Sequence, residues 1–372
     1  MIELRGVTKR FGQNFAIKNL SFKSNGNEFV AIVGPAGVGK STTLRMAAGI
    51  LQPNYGEIYF GNRFMNDVPP ERRNVSMAFE NYVLYSHLTN FENLAFPLRA
   101  RKISETVIQE QVRKMAKLLH IENELDRRPG FLSGGQRQRV ALGRCLIRQA
   151  DVYLLDEPIS HLDARLKIQM RSELKSICEA KNATVLHVTH DYREAMSLAD
   201  RIIVLNQGVL MQNGTPQDVF HRPDNEFVAN FVGDPPMGFI DVRLACSNGQ
   251  HAFLIEDTEF AVSVATDFPT QAAEGAKTLR IGLRANGTTL SCTQDANHNV
   301  PGTVYLIEAQ GHRKLVSVKL RHTILRVRVP NDQEWKIGQI AWLRVHADHL
   351  HVFADTKAIY HPNEANVIRE EM

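Results

Sequence analysis

The sequence predicts an α/β domain of the P-loop kind, with an antiparallel β subdomain and an inserted helical subdomain, followed by a small all-β barrel. Three observations predict it. First, the apolar, β-branched run NEFVAIV reads as a buried strand; it enters the glycine-rich loop Gly34–Thr42 (GPAGVGKST) and then TTLRMAAGIL, a segment of helical spacing with Gly49 as its stop. Second, from residue 88 to about 135 the composition turns helical and charged, with KISETVIQEQVRKMAKLLHI showing apolar residues at three and four spacing. Third, from Asp234 the chain breaks into short alternating strands with Gly, Asn and Pro turns, such as MGFIDVRL, HAFLIED, TEFAVSV, TLRIGLR and ILRVRVP. That spacing suits a small barrel of the oligonucleotide-binding (OB-like) class. The expected boundaries are 1–233, 234–355 and a polar tail, 356–372.

Length and composition agree. A chain of 372 residues is long for one core, and 43% hydrophobic with 23% charged residues is globular. The net charge of +4 is slight and, with no dense Lys/Arg run or basic aromatic stripe, argues by itself neither for nor against nucleic acid. A nucleic-acid partner is not expected because the barrel's aromatics, Phe253, Phe260, Trp335 and Trp342, are not interleaved with basic residues. Four cysteines lie far apart without a CxxC pair, which disfavours a zinc site or a disulfide scaffold and suits a reducing compartment. MIELRGVTKRFG lacks the apolar core of a secretory signal, and no run approaches the roughly 18 apolar residues of a membrane span. A membrane role would need a partner to supply the span.

The first segments, IELRGV and FAIKNLSF, alternate as antiparallel strands, with Phe11 in the turn between them. An aromatic there is either core or a platform for a flat ring. In the loop, Gly34, Gly37 and Gly39 allow the tight turn that aims successive N–H groups of residues 34–42, Pro35 apart, at phosphate oxygens on a helix N-terminus. Ala36, Val38 and Thr42 complete that cradle. Lys40 would reach the outer phosphates and the Ser41 hydroxyl would hold Mg²⁺.

The strand NVSMAF runs into Glu80, and Ser133, Gly134, Gly135 and Gln136 open a helix, forming a second anion grip about a hundred residues after the first. A nucleotide held between two copies of the chain would use both. DVYLLDEP then places Asp156 at a strand end to hold Mg²⁺ through water, with Glu157 beside it to polarise an attacking water. Paired acids at a strand end are also common as a solvated terminus; after a P-loop the catalytic reading dominates. ISHLDA, including Asp163, is an acidic turn suited to a subunit interface. TVLHVTHD ends at His190, whose imidazole could bond the γ phosphate or orient Glu157.

These motifs, in this order, resemble the ATP-binding cassette ATPases: the aromatic turn at Phe11, Walker A at 34–42, the LSGGQ signature at 132–136, the Walker B pair, the D-loop and the switch histidine. The resemblance covers residues 1 to about 233. GTPQDVFHRPDNEFVANFVGDPPMGF and the later strands are similar to the subfamily that imports sugars and sn-glycerol 3-phosphate, with its C-terminal (TOBE) regulatory domain. The resemblance implies an ATPase dimer, of like or unlike copies, at the cytoplasmic face of two membrane permease subunits. An extracytoplasmic solute-binding protein would deliver a sugar, polyol or glycerol phosphate, with ATP and Mg²⁺ at the shared sites. It makes Glu157 the general base, His190 the γ-phosphate sensor and Lys40 a charge stabiliser. The competing reading is a soluble cassette ATPase acting on nucleic acid or ribosomes, which would be expected to carry two cassettes or a long coiled-coil insertion.

The chain departs from that pattern where Gln is usual: Glu80 occupies the Q-loop position. A carboxylate offers only acceptors and a negative charge, so Glu80 should favour Mg²⁺ while repelling the γ phosphate. Either it substitutes for Gln, or the site is retuned in a subunit that pairs with a different ATPase. Ala36, Ser86 and His161 are smaller departures.

Overall fold

In the computed structural model, which describes residues 1–247, 250–255, 260–264, 268–273, 275–295 and 299–362, the chain divides into two compact units between Pro216 and Gln217. The junction expected at 233/234 therefore falls earlier, because α-helical residues after 217 pack with the C-terminal strands.

The first unit begins with β1 (Ile2–Phe11) and β2 (Asn14–Lys23), an antiparallel pair, then β3 (Phe29–Val33) and α1 (Lys40–Ala47). Next come β4 (Tyr55–Phe60), β5 (Arg63–Phe64) and β6 (Val75–Ala78), followed by α2 (Asn90–Arg99), α3 (Glu105–Leu118) and α4 (Gly134–Leu146). The unit closes with β7 (Val152–Asp156), α5 (Ala164–Ala180), β8 (Thr184–Thr189), α6 (Tyr192–Leu198), β9 (Arg201–Asn206) and β10 (Val209–Gly214). One sheet has the order β2-β1-β4-β5 and is antiparallel. The other runs β10-β9-β3-β8-β7-β6, with β9, β3, β8, β7 and β6 parallel.

Every residue of β3, β7 and β8 is buried, which is why β3 and the start of β7 read as apolar runs rather than alternating ones, while Thr184, His187 and Thr189 of β8 are buried polar residues. Val30, Ile32, Leu154, Leu186, Val188 and Ile203 join Ile2, Leu4, Leu20 and Ile58 of the antiparallel sheet in one core. Helices α2 and α3 occupy the span read as a helical insertion, and α4 begins at its end; α3 buries Ile108, Val112 and Met115 at helical spacing.

The second unit contains α7 (Pro216–His221), of which Pro216 belongs to the first, α8 (Glu226–Phe231), β11 (Gly238–Ser247), β12 (Gln250–Ile255), β13 (Ala261–Ser263) and α9 (Thr270–Ala273). It continues through β14 (Leu279–Leu283), β15 (Thr288–Ser291), β16 (Val300–Gln310), β17 (Arg313–Leu320), β18 (Thr323–Pro330), β19 (Ile340–Val345), β20 (Leu350–Ala354) and β21 (Lys357–Tyr360). Two antiparallel sheets, β13-β12-β11-β14-β20-β21 and β15-β19-β16-β17-β18, share one apolar core. Phe253 and Trp335 are buried in it, so those aromatics form no open stacking platform.

The tail expected from 356 is not peripheral at its start. Lys357–Tyr360 pairs with β20, and the Tyr360 ring sits edge-on to Phe268 at 5.6 Å, a contact that outweighs the polar surroundings. Residues 363–372, and the ends of HAFLIED and TEFAVSV at 256–259, lie outside the described residues.

Candidate functional site

Four neighbouring parallel strands, β3, β8, β7 and β6, release the predicted residues at one edge of the sheet. Val33 is level with Thr189, Asp156 with Val188, and Ala78 with Leu155. One step further, the chain leaves the sheet at Gly34, His190, Glu157 and Phe79–Glu80. The carboxyl edge of a parallel sheet is where α/β folds place ligands.

The loop after β3 carries the geometry that glycine permits. Gly39 has φ +100°, and a Cβ there would stand 2.2 Å from the Ala16 carbonyl oxygen. Lys40 is buried and donates to the carbonyls of Gly34 at 2.9 Å and Pro35 at 2.8 Å, which holds its ammonium across the loop. Burial pushes the Lys40 pKa down, against the opposing pull of Glu157, Asp156 and Glu80.

Around the Lys40 ammonium stand three carboxylates, Glu157, Asp156 and Glu80, and the Arg45 charge also acts on Asp156. The Ser41 hydroxyl donates to Asp156 Oδ1 at 2.9 Å. Burial raises the Asp156 pKa; the Ser41 bond lowers it and the Glu80 charge raises it again. Ser41, Asp156 and Glu80 thus offer oxygens only, the donor set of a hard cation. Among the described residues no three His, Cys, Asp or Glu side chains could hold a metal by themselves. Such a set suits an ion that takes one or two carboxylates and completes its shell with phosphate and water.

Glu157 is aimed by its backbone. Its φ is +50°, a left-handed conformation that costs a non-glycine residue about 1–2 kcal/mol. Its backbone is tied on both sides: its N–H donates to Val188 O at 3.0 Å, and its carbonyl accepts from Gln138 Nε2 and from Ser160 Oγ, each at 3.0 Å. Glu157 Oε1 lies 2.8 Å from His190 Nδ1, while Oε2 is buried with no hydrogen-bond partner. His190 itself is mostly exposed, with 63% of its side chain accessible. An acid fixed by a histidine on one oxygen and bare on the other is set to accept a proton.

The signature serine caps α4. Ser133 Oγ accepts from Gln136 N at 3.2 Å and Gln136 Oε1 accepts from Ser133 N at 2.8 Å, a reciprocal box. Gly134 and Gly135 sit at the first two helical positions, where backbone donors have no intrahelical acceptor and face outward from the helix end. Asp163 caps α5, accepting from Leu166 N at 2.9 Å. Phe11, at the end of β1, is 51% exposed with the Lys9 ammonium over its ring. It is not a core residue.

Sequence reading missed Gln138 and Arg73. Gln138 is 1% exposed and bridges two motifs, since its Oε1 accepts from His161 N at 3.3 Å while its amide holds Glu157. A signal existed: it lies on the buried stripe of α4 with Leu142 and Cys145, one polar residue on an apolar face. Buried Arg73 donates to Met46 O, Ala47 O and Val68 O at 2.8–3.0 Å, placing a cation on the carboxyl end of α1. Nothing in ERRN distinguishes it from Arg72. Tyr82 and Ser160 both bond His161 Nδ1, the latter at 2.9 Å, tying the segment after Glu80 to the turn before α5.

Residues 17–160 match the ABC transporter family model and residues 281–353 the TOBE domain model. The chain is 37% identical over 358 residues to the maltose/maltodextrin import ATP-binding protein of Photobacterium profundum, covering 95% of each. It is 47% identical over 246 residues to the trehalose/maltose import ATP-binding protein of Thermococcus litoralis, covering 64% of this chain and 66%, just under two thirds, of that one. A solved dimeric ATP-binding cassette in a post-hydrolysis state with ADP and Pi superposes with a TM-score of 0.55 at 32% identity, covering 58% of this chain and 99% of that one. The chain belongs to the ABC transporter family. Within it the chain is an ATP-binding, ATP-hydrolysing subunit with a C-terminal TOBE domain.

Proposed function

We propose that this subunit powers an importer from the cytoplasmic face of the membrane, coupling ATP binding and hydrolysis to uptake of a sugar, polyol or glycerol phosphate. No described helix is long and apolar enough to cross a bilayer. Two permease subunits supply the path, and a solute-binding protein outside delivers the cargo. The import relatives support this reading, and their names carry the sugar class.

Two ATPase copies, like or unlike, clamp each ATP between the Gly34–Thr42 loop of one and Ser133–Gln136 of the other. Phe11 stacks on the adenine. Asp163 lies in the turn that faces the second copy. Ser41, Asp156 and Glu80 hold Mg²⁺, which when bound neutralises phosphate charge. Lys40 leaves its two carbonyls for the β and γ oxygens. Glu157 takes a proton from water as its oxygen attacks the γ phosphorus and ADP departs, while His190 holds the acid's other oxygen and reports on the γ phosphate.

One observation carries this mechanism: the buried, unpartnered Oε2 of Glu157 beside an Oε1 bonded to His190. The test is association. A Glu157→Gln chain given ATP and Mg²⁺, alone and with its permeases, should form a dimer that light scattering detects and that the nucleotide-free protein lacks. If ATP never tightens association, the clamp and the transport reading both fall.

A further inference from the structure

Far along the chain from the ATP motifs, the C-terminal unit encloses a cavity of about 580 Å³. Arg284, Arg313, Arg328, His221, His349 and His351 line it, and Asp234 is the only acid among its described lining residues. These groups come from β17, β18, β20, the segment after β14 and the end of α7, so only the folded unit brings them together. The volume falls in the range of about 300–1,000 Å³ typical of small-molecule pockets.

Two of the arginines are held by backbone carbonyls. Arg284 donates to Phe220 O at 2.8 Å and to the carbonyls of Ala229 and Val232, with its guanidinium 4.5 Å from the Phe220 ring centroid. Arg328 donates to the Asp234 carbonyl. Bonds to carbonyls satisfy N–H groups while leaving the formal charge in place. At buried His351, burial lowers the pKa well below the ordinary value, and the Arg284 charge pushes the same way. With three arginines and one acid among the described residues that line it, the cavity is basic.

We propose that this cavity binds a small phosphorylated compound, its phosphate held by Arg313 and Arg328 with the histidines as further donors. Planar guanidinium forks match phosphate oxygens two at a time. A phosphate whose second pKa lies near 6 can also share its proton with neighbouring imidazoles. Pro235, Val329 and Pro330 give the cavity an apolar wall for a carbon skeleton, and there is room for more than a bare anion.

Isothermal titration of the full chain distinguishes the sources. The probes are glycerol 3-phosphate, inorganic phosphate and glycerol. The parent protein should bind the ester and ignore glycerol. Binding should survive in Lys40→Ala, which disables the ATP loop, and weaken about tenfold or more in Arg313→Gln/Arg328→Gln, as loss of two charge-assisted bonds predicts. Arg313 is exposed, so Arg313→Gln alone keeps the fold and should weaken binding in the same direction. Inorganic phosphate binding as tightly as the ester would name free phosphate as the ligand of the same site. No heat with either anion, equal binding of glycerol, or binding lost in Lys40→Ala and kept in the arginine double variant would overturn the assignment.

Discussion

Replacing Gln138 by leucine tests whether Glu157, the proposed general base, is held by its own backbone. The side chain is similar in volume, so the buried stripe of α4 stays filled, but the Glu157 carbonyl loses one of its donors, at 3.0 Å, while keeping Ser160 Oγ, and His161 N loses its acceptor at 3.3 Å. The lost hydrogen bond costs about 0.5–1.5 kcal/mol. The left-handed conformation of Glu157 already costs about 1–2 kcal/mol, so the two together favour relaxation of that peptide toward ordinary φ. Relaxation swings the carboxylate off His190 and off the attacking water. At about 1.4 kcal/mol per tenfold, kcat should fall between about twofold and tenfold. Because Gln138 touches neither the phosphate loop nor the purine platform, KM for ATP should move by less than about twofold. Steady-state phosphate release by the chain with its membrane partners measures both, and a melting curve reports the structural cost. A variant with lower thermal stability but parental kcat would show that Gln138 is packing only, and that the turn at Glu157 is held some other way.

Three further outcomes are expected. Arg73→Met removes donors from Met46 O, Ala47 O and Val68 O but also relieves a cation whose pKa burial already lowers; a net loss of about 2 kcal/mol should appear in urea unfolding, and a gain would mean that desolvation outweighs the cap. Glu80→Gln takes one of three carboxylates away from Lys40 and Asp156, so basal ATP turnover should hold or rise; a drop of about a hundredfold or more would show that the carboxylate is required. His361 is lowered to about 4 by burial and Arg222, and burial lowers His351 well below its ordinary value, so the unfolded chain takes up protons below about 6.5 that the folded unit refuses. Stability should therefore fall as pH drops from 6.5 toward 4, with Arg222, Arg284, His221 and His349 adding repulsion to any proton that enters; calorimetry showing a flat profile there would contradict the burial of this pair.

The cassette was legible because its chemistry is local in sequence. The strand–loop–helix around Lys40, the acid pair at the end of β7 and the histidine after β8 each announce themselves within about ten residues, and parallel-strand rules then bring them to one edge. Glu80 could be read as an odd acid near the metal residues, and the structure does set its charge against Asp156 and Lys40. Arg73 and Gln138 were hidden because their partners are the carbonyls of other segments, and backbone acceptors leave no trace in residue identity. The domain junction and β21 were misplaced for a related reason: α7, α8 and KAIY are short, and what recruits them is a surface made by strands elsewhere in the unit rather than any pattern of their own.

The placing of β3 has a consequence for synthesis. Its two neighbours in the sheet, β8 and β9, begin at Thr184 and Arg201, so the strand that ends in the phosphate loop emerges from the ribosome with both flanks empty. Until about two hundred residues are available, the nascent chain has the loop's letters but not its rigid seat. Prematurely released fragments ending before Thr184 are accordingly unable to burn ATP idly, and nucleotide can stabilise only chains whose central strand has been enclosed.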